Sequence, residues 1–233
     1  MTRIKICGVT SEEEIRICVA AGAHALGFVV EYPIDVPWNL ERQRAKDLMA
    51  AVPPFVSRVI VVGDDPRRVI ECTKLLKPHA VQLHGDEPLV VTKELVVAIQ
   101  RLGAQVLKPL RFSVETGKCR SECEDPVEAA RLIEMTGADA LVLDSVSEVR
   151  PAGTGSSVDW SLARKIRESL RMPVILAGGL NTGNVAQAVM AVLPYGVDVI
   201  SGVEDASGRK IPEKIAIKRI IILIKRRIFM RPE

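Results

Sequence analysis

Eight short aliphatic runs, each followed by an amphipathic stretch, recur along this chain of 233 residues, and this repeat constrains the fold more than any other feature. The runs are bounded by Gly or Pro and are almost entirely apolar, which is typical of parallel strands buried on both faces. They predict strands over Ile4–Cys7, Leu26–Val30, Arg58–Val62, Ala80–Leu83, Val106–Leu110, Ala140–Asp144, Val174–Ala177 and Val197–Ser201. Units of roughly 29 residues suit a compact α/β barrel. We therefore predict the α/β class, with one (β/α)8 TIM-barrel domain over residues 1–233.

Helix start and stop signals lie between these runs. The predicted N-caps are Asp65 and Asp125, each before a first-turn proline, Asn39 before a helix over Leu40–Ala51, and Thr182 before a helix that ends at Val192. The predicted left-handed residues after helices are Gly22, Gly103 and Gly137. The polar stretch Phe112–Glu124 is predicted to be an exposed loop on the active-site side.

An open, doubly wound sheet shows the same alternation of strands and helices and is the alternative fold. Its first strand-to-helix turn carries the pattern G-x-G-x-x-G, whereas this chain reads Cys7-Gly8-Val9-Thr10. Eight units rather than five or six also favour a closed barrel.

Composition excludes several classes of function. The net charge is +3, from 32 basic and 29 acidic residues, so no strong field favours nucleic acid. The longest aliphatic run, Ile220 to Ile224, is far below the ~18 residues that span a bilayer. The N-terminus lacks a signal-peptide pattern, and the five cysteines form no C-x-x-C pair. We expect a soluble cytoplasmic protein with reduced thiols, a monomer or homodimer without nucleic-acid or membrane partners.

Two segments leave alternatives open. Cys119 and Cys123 share one loop, where a free pair, a disulfide or a metal site are all conceivable. The stretch from Lys214 to Arg231 is basic and amphipathic, with Ile217, Ile221, Ile224 and Ile228 on one helical face. It fits the helix that closes the barrel, or alternatively a helix on a membrane surface.

Polar residues interrupt the apolar strands near their carboxyl ends, where barrel active sites lie. Arg3, Lys5 and Cys7 share one face of strand one, and alternation predicts that this face points into the barrel. The other strand residues predicted to point inward or to the rim are Gln82, His84, Lys108 and Asp144.

Cys7 and Asp144 are the candidates for proton transfer. A thiol acts as a base only as thiolate, so Cys7 needs a positive neighbour, either Lys5 or the helix after Thr10. A partly desolvated carboxyl at Asp144 has a raised pKa, which suits a general acid. The alternatives are that Cys7 is a small core residue and that Asp144 caps the following loop.

Glycine-rich turns follow three strands and predict a phosphate site, because glycine lets backbone N–H groups approach an anion. The residues are Gly178, Gly179 and Asn181 after strand seven, Ser201 and Gly202 after strand eight, and Gly153 and Gly155 after strand six. Their positions predict a barrel of the phosphate-binding type.

Several ordered segments resemble the phosphoribosylanthranilate isomerase family: Lys5–Thr10, Val81–Glu87, Leu143–Ser145, Gly153–Gly155 with Asp159-Trp160, Leu176–Asn181 and Tyr195–Glu204. The resemblance implies an Amadori rearrangement of N-(5-phosphoribosyl)anthranilate to 1-(2-carboxyphenylamino)-1-deoxyribulose 5-phosphate, in tryptophan biosynthesis, without metal or cofactor. It also implies that Cys7 is the general base, that Asp144 is the general acid, and that the glycine turns hold the phosphate. Asp198 lies in a matching segment and joins the pocket candidates.

The chain departs from the family pattern after strand two. Many members carry S-P-R there, with the Arg expected at the anthranilate carboxylate, whereas this chain reads Val36-Pro37-Trp38. Trp38 can stack on an aromatic ring but cannot pair with a carboxylate, so Arg42, Arg111 or Lys108 are candidate substitutes. Alternative functions are an isomerase for a different aminosugar phosphate and a non-catalytic phosphate-binding paralogue.

Overall fold

The computed structural model describes residues 1–113, 115–146 and 158–215, and eight parallel strands form its centre. They are β1 (Arg3–Ile6), β2 (Ala25–Val30), β3 (Ser57–Val62), β4 (Ala80–Leu83), β5 (Gln105–Ser113), β6 (Ala140–Val146), β7 (Val174–Leu176) and β8 (Gly196–Val199). Each strand pairs with the next along the chain, and β8 pairs with β1. The predicted closed α/β barrel is therefore confirmed.

Helices follow the strands on the outside of the barrel. Within the described residues they are α1 (Glu12–Ala20), α2 (Arg42–Ala50), α3 (Pro66–Leu76), α4 (Leu89–Arg101), α5 (Pro126–Met135), α6 (Trp160–Ser169), α7 (Val185–Val192) and α8 (Pro212–Ile215). A 3-10 turn over Ser201–Val203 comes directly after β8. None of the helices within the described ranges has the length and apolar character needed to cross a bilayer.

Some predicted helix boundaries are confirmed. Asp65 and Asp125 cap α3 and α5 through their side chains, each with proline in the first turn. Gly22, Gly103 and Gly137 all have φ near +85° just after their helices, because glycine adopts this left-handed conformation without a steric penalty.

Two predicted N-caps are wrong. Asn39 does not cap α2, because Asn39–Leu40 is a short strand that pairs with the end of β2. The Asn39 amide instead bonds both backbone groups of Tyr32. Thr182 does not cap α7, which begins at Val185 after Asn184. In both places the helix starts later than predicted.

Strand ends also differ from the predictions. β1 stops at Ile6 and β8 at Val199, so Cys7 and Ser201 lie in the turns just beyond their strands. The predicted loop Phe112–Glu124 is partly strand, since β5 runs to Ser113 and pairs antiparallel with Cys119–Arg120. The turn with Gly153 and Gly155 and the basic stretch from Ile217 onward lie outside the described residues.

Three apolar clusters divide the core and position the site. The largest lies between sheet and helices. A second, which includes Val59, Leu107 and Val142, fills the barrel interior. A third surrounds Cys7 at the mouth with Val29, Val36, Trp38 and Val61. The barrel interior is thus packed below the mouth, and the third cluster lies at the carboxyl ends of the strands.

Candidate active site

A pocket opens at the carboxyl ends of the strands, and it brings together most of the predicted site residues. The predicted residues that line it are Cys7, Trp38, Gln82, His84, Asp144, Gly178, Gly179, Asp198, Ser201 and Gly202. Residues that the sequence reasoning did not single out also line it, among them Tyr32, Ser145 and Ile200.

Other predicted residues lie away from this pocket. Lys5 is buried beneath its floor. Lys108 was predicted to point inward or to the rim, but it is in register with the outward-facing Leu141 and turns to Glu87 near the start of α4. Arg3 was predicted to point into the barrel, yet it is exposed at the opposite end and stacks on Tyr195.

Cys7 lies at the bottom of the pocket and is 2% exposed. Its N–H donates to the Val199 carbonyl at 2.9 Å, which ties the turn after β1 to the end of β8. Gly27 on β2 makes room for the thiol, since a Cβ there would lie 2.5 Å from the sulfur. Burial raises the pKa of the Cys7 thiol; the charge of Lys5 opposes this, while that of Asp198 adds to it.

The expected activator, Lys5, is already paired. Its ammonium lies 2.6 Å from the Asp198 carboxylate and donates to the Gln82 amide oxygen at 3.1 Å. Burial lowers the pKa of Lys5, but the ion pair with Asp198 outweighs this and raises it overall. Lys5 is therefore a fixed cation whose charge is largely balanced within the pocket floor.

The helix after Thr10, the other predicted activator, has its N-terminus occupied. The Ser11 hydroxyl accepts from the N–H of Glu14, and the Glu14 carboxylate accepts from the N–H of Thr10 at 2.7 Å. The first turn of α1 contains three glutamates. These negative groups offset the positive end of the helix dipole, so α1 does not favour a thiolate at Cys7.

Asp144 enters the pocket from β6, and its side chain is 21% exposed. Burial and the charge of Asp198 raise its pKa to about 6, although the Ser145 N–H, Arg111 and Lys5 act in the opposite direction. A carboxyl with this pKa holds a proton in part of the molecules near neutral pH, as a general acid requires.

His84 connects the floor to Asp144. Its ring lies 3.3 Å from the Gln82 amide nitrogen and 4.0 Å from the Asp144 carboxylate. Burial and the charges of Arg111, Lys5 and Lys108 lower the pKa of His84 to about 3. The imidazole is thus neutral at physiological pH, and a polar row runs from Lys5 through Gln82 and His84 to Asp144.

Two glycine turns form the side of the pocket next to Asp144. Gly178 and Gly179 both have positive φ, +75° and +60°. Asn184 bonds the Gly179 carbonyl at 2.9 Å and accepts from the Asn181 N–H at 2.8 Å, which holds the turn in place. The predicted residue Asn181 thus supports the turn and does not itself line the pocket.

The turns pack too closely for any side chain larger than glycine. A Cβ at Gly178 would lie 2.6 Å from the Ser145 hydroxyl, and one at Gly202 would overlap the Leu180 carbonyl. Within the described ranges, the N–H groups of Gly178 and Gly179 have no hydrogen-bond acceptor. These N–H groups can therefore bind an anion such as a phosphate.

A buried cluster around Trp38 was missed by the sequence reasoning. The indole N–H of Trp38 donates to the Glu204 carboxylate at 2.7 Å, and Lys210 forms an ion pair with the same oxygen. The side chain of Lys210 is fully buried, and a Cβ at Gly8 would collide with the indole. Only the proximity of the turns after β1, β2 and β8 creates this cluster, so spacing in the sequence carried no signal for it.

The described residues contain no group of His, Cys, Asp or Glu side chains that could hold a metal ion. Cys119 and Cys123 are both free thiols, and the Cys119 sulfur lies 3.5 Å from the Cys123 carbonyl oxygen. What the site offers is a thiol, a carboxyl with a raised pKa and an anion-binding turn. Such a set can move protons on a phosphorylated substrate.

Comparisons with known proteins match this chain to one family over most of its length. A family model described as N-(5'-phosphoribosyl)anthranilate (PRA) isomerase matches residues 4–218. A curated N-(5'-phosphoribosyl)anthranilate isomerase from Methanocella arvoryzae is 40% identical over 211 residues, which are 90% of this chain and 92% of the relative. One from Natronomonas pharaonis is 38% identical over the same shares of both chains.

Solved structures match over nearly the full length. Phosphoribosyl anthranilate isomerase from Thermotoga maritima superposes with a TM-score of 0.76 at 31% identity, over 95% of this chain and 98% of that one. A second solved structure is that of phosphoribosyl anthranilate isomerase in complex with reduced 1-(o-carboxyphenylamino)-1-deoxyribulose 5-phosphate. It matches with a TM-score of 0.73 at 31% identity, over 97% and 99% of the two chains.

Proposed function

The chain belongs to the N-(5'-phosphoribosyl)anthranilate isomerase family, and on that premise we propose that it converts N-(5-phosphoribosyl)anthranilate to 1-(2-carboxyphenylamino)-1-deoxyribulose 5-phosphate in tryptophan biosynthesis. The observation that carries the proposal is that Cys7 and Asp144 line one pocket beside the glycine turns at Gly178 and Gly202. A base, an acid and a phosphate anchor are the groups that this isomerisation needs.

Asp144 is the general acid in the proposed mechanism. It gives its proton to the ribose ring oxygen as the bond from that oxygen to C1' breaks, and the anthranilate nitrogen donates its lone pair to form a C1'=N Schiff base. The raised pKa of Asp144, about 6, makes the proton available near neutral pH. The neutral ring of His84, 4.0 Å away, lies on the same side of the pocket.

Cys7 is the general base. Its thiolate takes the proton from C2', and the C2'–H electrons form a C1'=C2' double bond while the C=N electrons return to nitrogen. The enolamine then becomes the ketone as O2' loses its proton and C1' gains one, so substrate and product are isomers. Lys5, close to the thiol, stabilises the thiolate while it exists.

The phosphate is held by the turns after β7 and β8. Gly178 and Gly179, whose N–H groups have no acceptor among the described residues, present donors to it, together with the start of the turn at Ser201 and Gly202. Gly153 and Gly155, outside the described residues, are proposed to close over the same ligand. Binding at this remote group positions the ribose at Cys7 and Asp144.

The test follows the loss of anthranilate-ribosyl fluorescence when purified protein is added to freshly generated phosphoribosylanthranilate. We expect rapid decay with the native chain, and loss of at least ~100-fold in kcat in Cys7→Ala and in Asp144→Asn. Cys18→Ala, which changes a buried cysteine in α1, is the matched control and retains activity. Native-like rates in either site variant contradict the assigned role. A folded native protein that is inactive on this substrate points instead to a different aminosugar phosphate.

A further inference from the structure

The proposed substrate carries a carboxylate on its aromatic ring, and we propose that Arg111 is the specificity-determining residue that binds this carboxylate. The inference rests on the proposed function. A carboxylate that enters a half-buried pocket without a cationic or hydrogen-bonding partner is strongly destabilised. A basic side chain that can reach the pocket and release its present partner is therefore needed.

Three other basic side chains near the barrel mouth are committed elsewhere. Lys5 is buried in the floor with Asp198. Lys210 is fully buried against Glu204. Arg42 forms two bonds of 2.6 Å to Glu31 on the outside of the barrel and a third contact with Glu71.

Lys108 and Trp38 are also poor partners for the carboxylate. Lys108 lies on the helix-facing side of β5 and bonds Glu87 at 2.8 Å and the Gly85 carbonyl at 3.0 Å. The Trp38 indole N–H donates to Glu204 at 2.7 Å, so Trp38 presents only its apolar ring to a ligand.

Arg111 lies on the side of β5 that faces the barrel interior. It is in register with Asp144 on β6, and Val142, which shares a face with Asp144, belongs to the cluster that fills the interior. Arg111 also lines a depression next to the catalytic pocket, and Tyr32 and His84 line both. Its charge lowers the pKa of His84 and opposes the rise in the pKa of Asp144.

The present partner of Arg111 can be exchanged. Arg111 forms an ion pair with Asp86, whose side chain is 54% exposed, whereas that of Arg111 is 10% exposed. Asp86 also lies 3.7 Å from Arg120. An incoming carboxylate can therefore take the planar guanidinium through two parallel hydrogen bonds, while Asp86 stays in solvent beside Arg120.

The experiment compares two ligands by calorimetry: reduced 1-(o-carboxyphenylamino)-1-deoxyribulose 5-phosphate and the phenylamino analogue that lacks the carboxyl. We expect the native chain to bind the carboxylated ligand at least ~10-fold more tightly, and Arg111→Gln to lose this preference while its Kd for the analogue stays unchanged. Arg111→Lys is expected to retain part of the preference, because lysine keeps the charge but lacks the two parallel N–H donors of the guanidinium. Arg42→Gln is the matched control and keeps the full preference.

Asp86→Asn provides a second variant, at an exposed position where the fold tolerates the change. It removes the competing carboxylate, so the carboxylated ligand should bind several-fold more tightly and the analogue should not. Retained preference in a folded Arg111→Gln protein, or unchanged binding in Asp86→Asn, overturns the inference. Failure of the proposed function is distinguishable, because the native chain would then bind neither ligand and turn over no substrate.

Discussion

Lys5 and Asp198 form an ion pair of 2.6 Å directly below the Cys7 thiol, and they are in register on the adjacent strands β1 and β8. Lys5 alone would favour a thiolate, but Asp198 opposes it, and burial leaves the pKa of Cys7 raised. One oxygen of Asp198 is buried without a hydrogen-bond partner among the described residues. The raised pKa favours a neutral thiol at rest, so the proposed mechanism requires the thiolate to form during turnover.

Asp198→Asn should make Cys7 more reactive. The substitution removes the negative charge that raises the pKa of the thiol and leaves Lys5 to act on it. We expect alkylation by iodoacetamide at pH 7.5 to become several-fold faster, measured in a Cys119→Ser/Cys123→Ser background. Asp35→Asn, which changes an exposed carboxylate, is the control and leaves the rate unchanged. An unchanged rate in Asp198→Asn would show that burial alone governs the thiol.

The pH dependence of kcat/KM should be bell-shaped with an unusual assignment. The pKa of the acid Asp144 is about 6, below the raised pKa of the base Cys7. The active form has Asp144 protonated and Cys7 ionised, and its share of the molecules is constant between the two pKa values. Below about pH 6 the form with both groups protonated takes over, so activity falls. Above the thiol pKa both groups are ionised, and activity falls again.

The substrate phosphate also titrates near pH ~6, so the acid limb needs a control. Asp144→Glu should move this limb if it belongs to the enzyme, whereas a limb due to the phosphate stays in place. A fall of kcat/KM at high pH that begins at or below the ordinary pKa of a thiol would contradict the raised pKa of Cys7.

Asp144→Asn should stabilise the fold while it abolishes turnover. Because the pKa of Asp144 in the folded state, about 6, lies above the ordinary value of 3.8, ionisation is a cost to folding. That cost is absent below about pH 4 and complete above about pH 6, and two pKa units correspond to at most about 3 kcal/mol. Urea unfolding at pH 7.5 and pH 4 checks this. Equal gains at both pH values, or a gain in the Asp35→Asn control, would argue against it.

Gly178→Ala should weaken phosphate binding. The added Cβ lies 2.6 Å from the Ser145 hydroxyl and takes up a φ of +75°, so the turn must shift. We expect a loss of about 1–3 kcal/mol in the free energy of unfolding and at least ~10-fold weaker binding of inorganic phosphate by calorimetry. Gly103→Ala is the matched control, because it has φ +86° with nothing within 4 Å of the new Cβ. It should lose stability from backbone strain alone and bind phosphate normally.

The sequence by itself determined the barrel and much of the site. The apolar runs and glycine stops are local signals, and all eight predicted strands start within one residue of the observed starts. The common location of Cys7, Asp144 and the turns at Gly178 and Gly202 was predictable, because the carboxyl ends of parallel strands meet at one mouth, while their roles stay predictions. The N-cap prediction at Asn39 failed because its side chain bonds Tyr32, which local spacing does not reveal. At Thr182 the helix begins later than a cap there would require, after Asn184.

Only the tertiary structure decided which charged groups of the site are paired with one another. Lys5 was expected to activate Cys7, but Asp198, 193 residues away in the chain, balances it. Trp38 is held by Glu204, which forms an ion pair with Lys210. Both of these residues are distant from Trp38 in the sequence. Electrostatic interactions depend on distance and burial, and a sequence specifies neither until the barrel has closed. The pattern of apolar residues therefore specifies the fold, while the protonation state of the site follows from the packing of residues far apart in the chain.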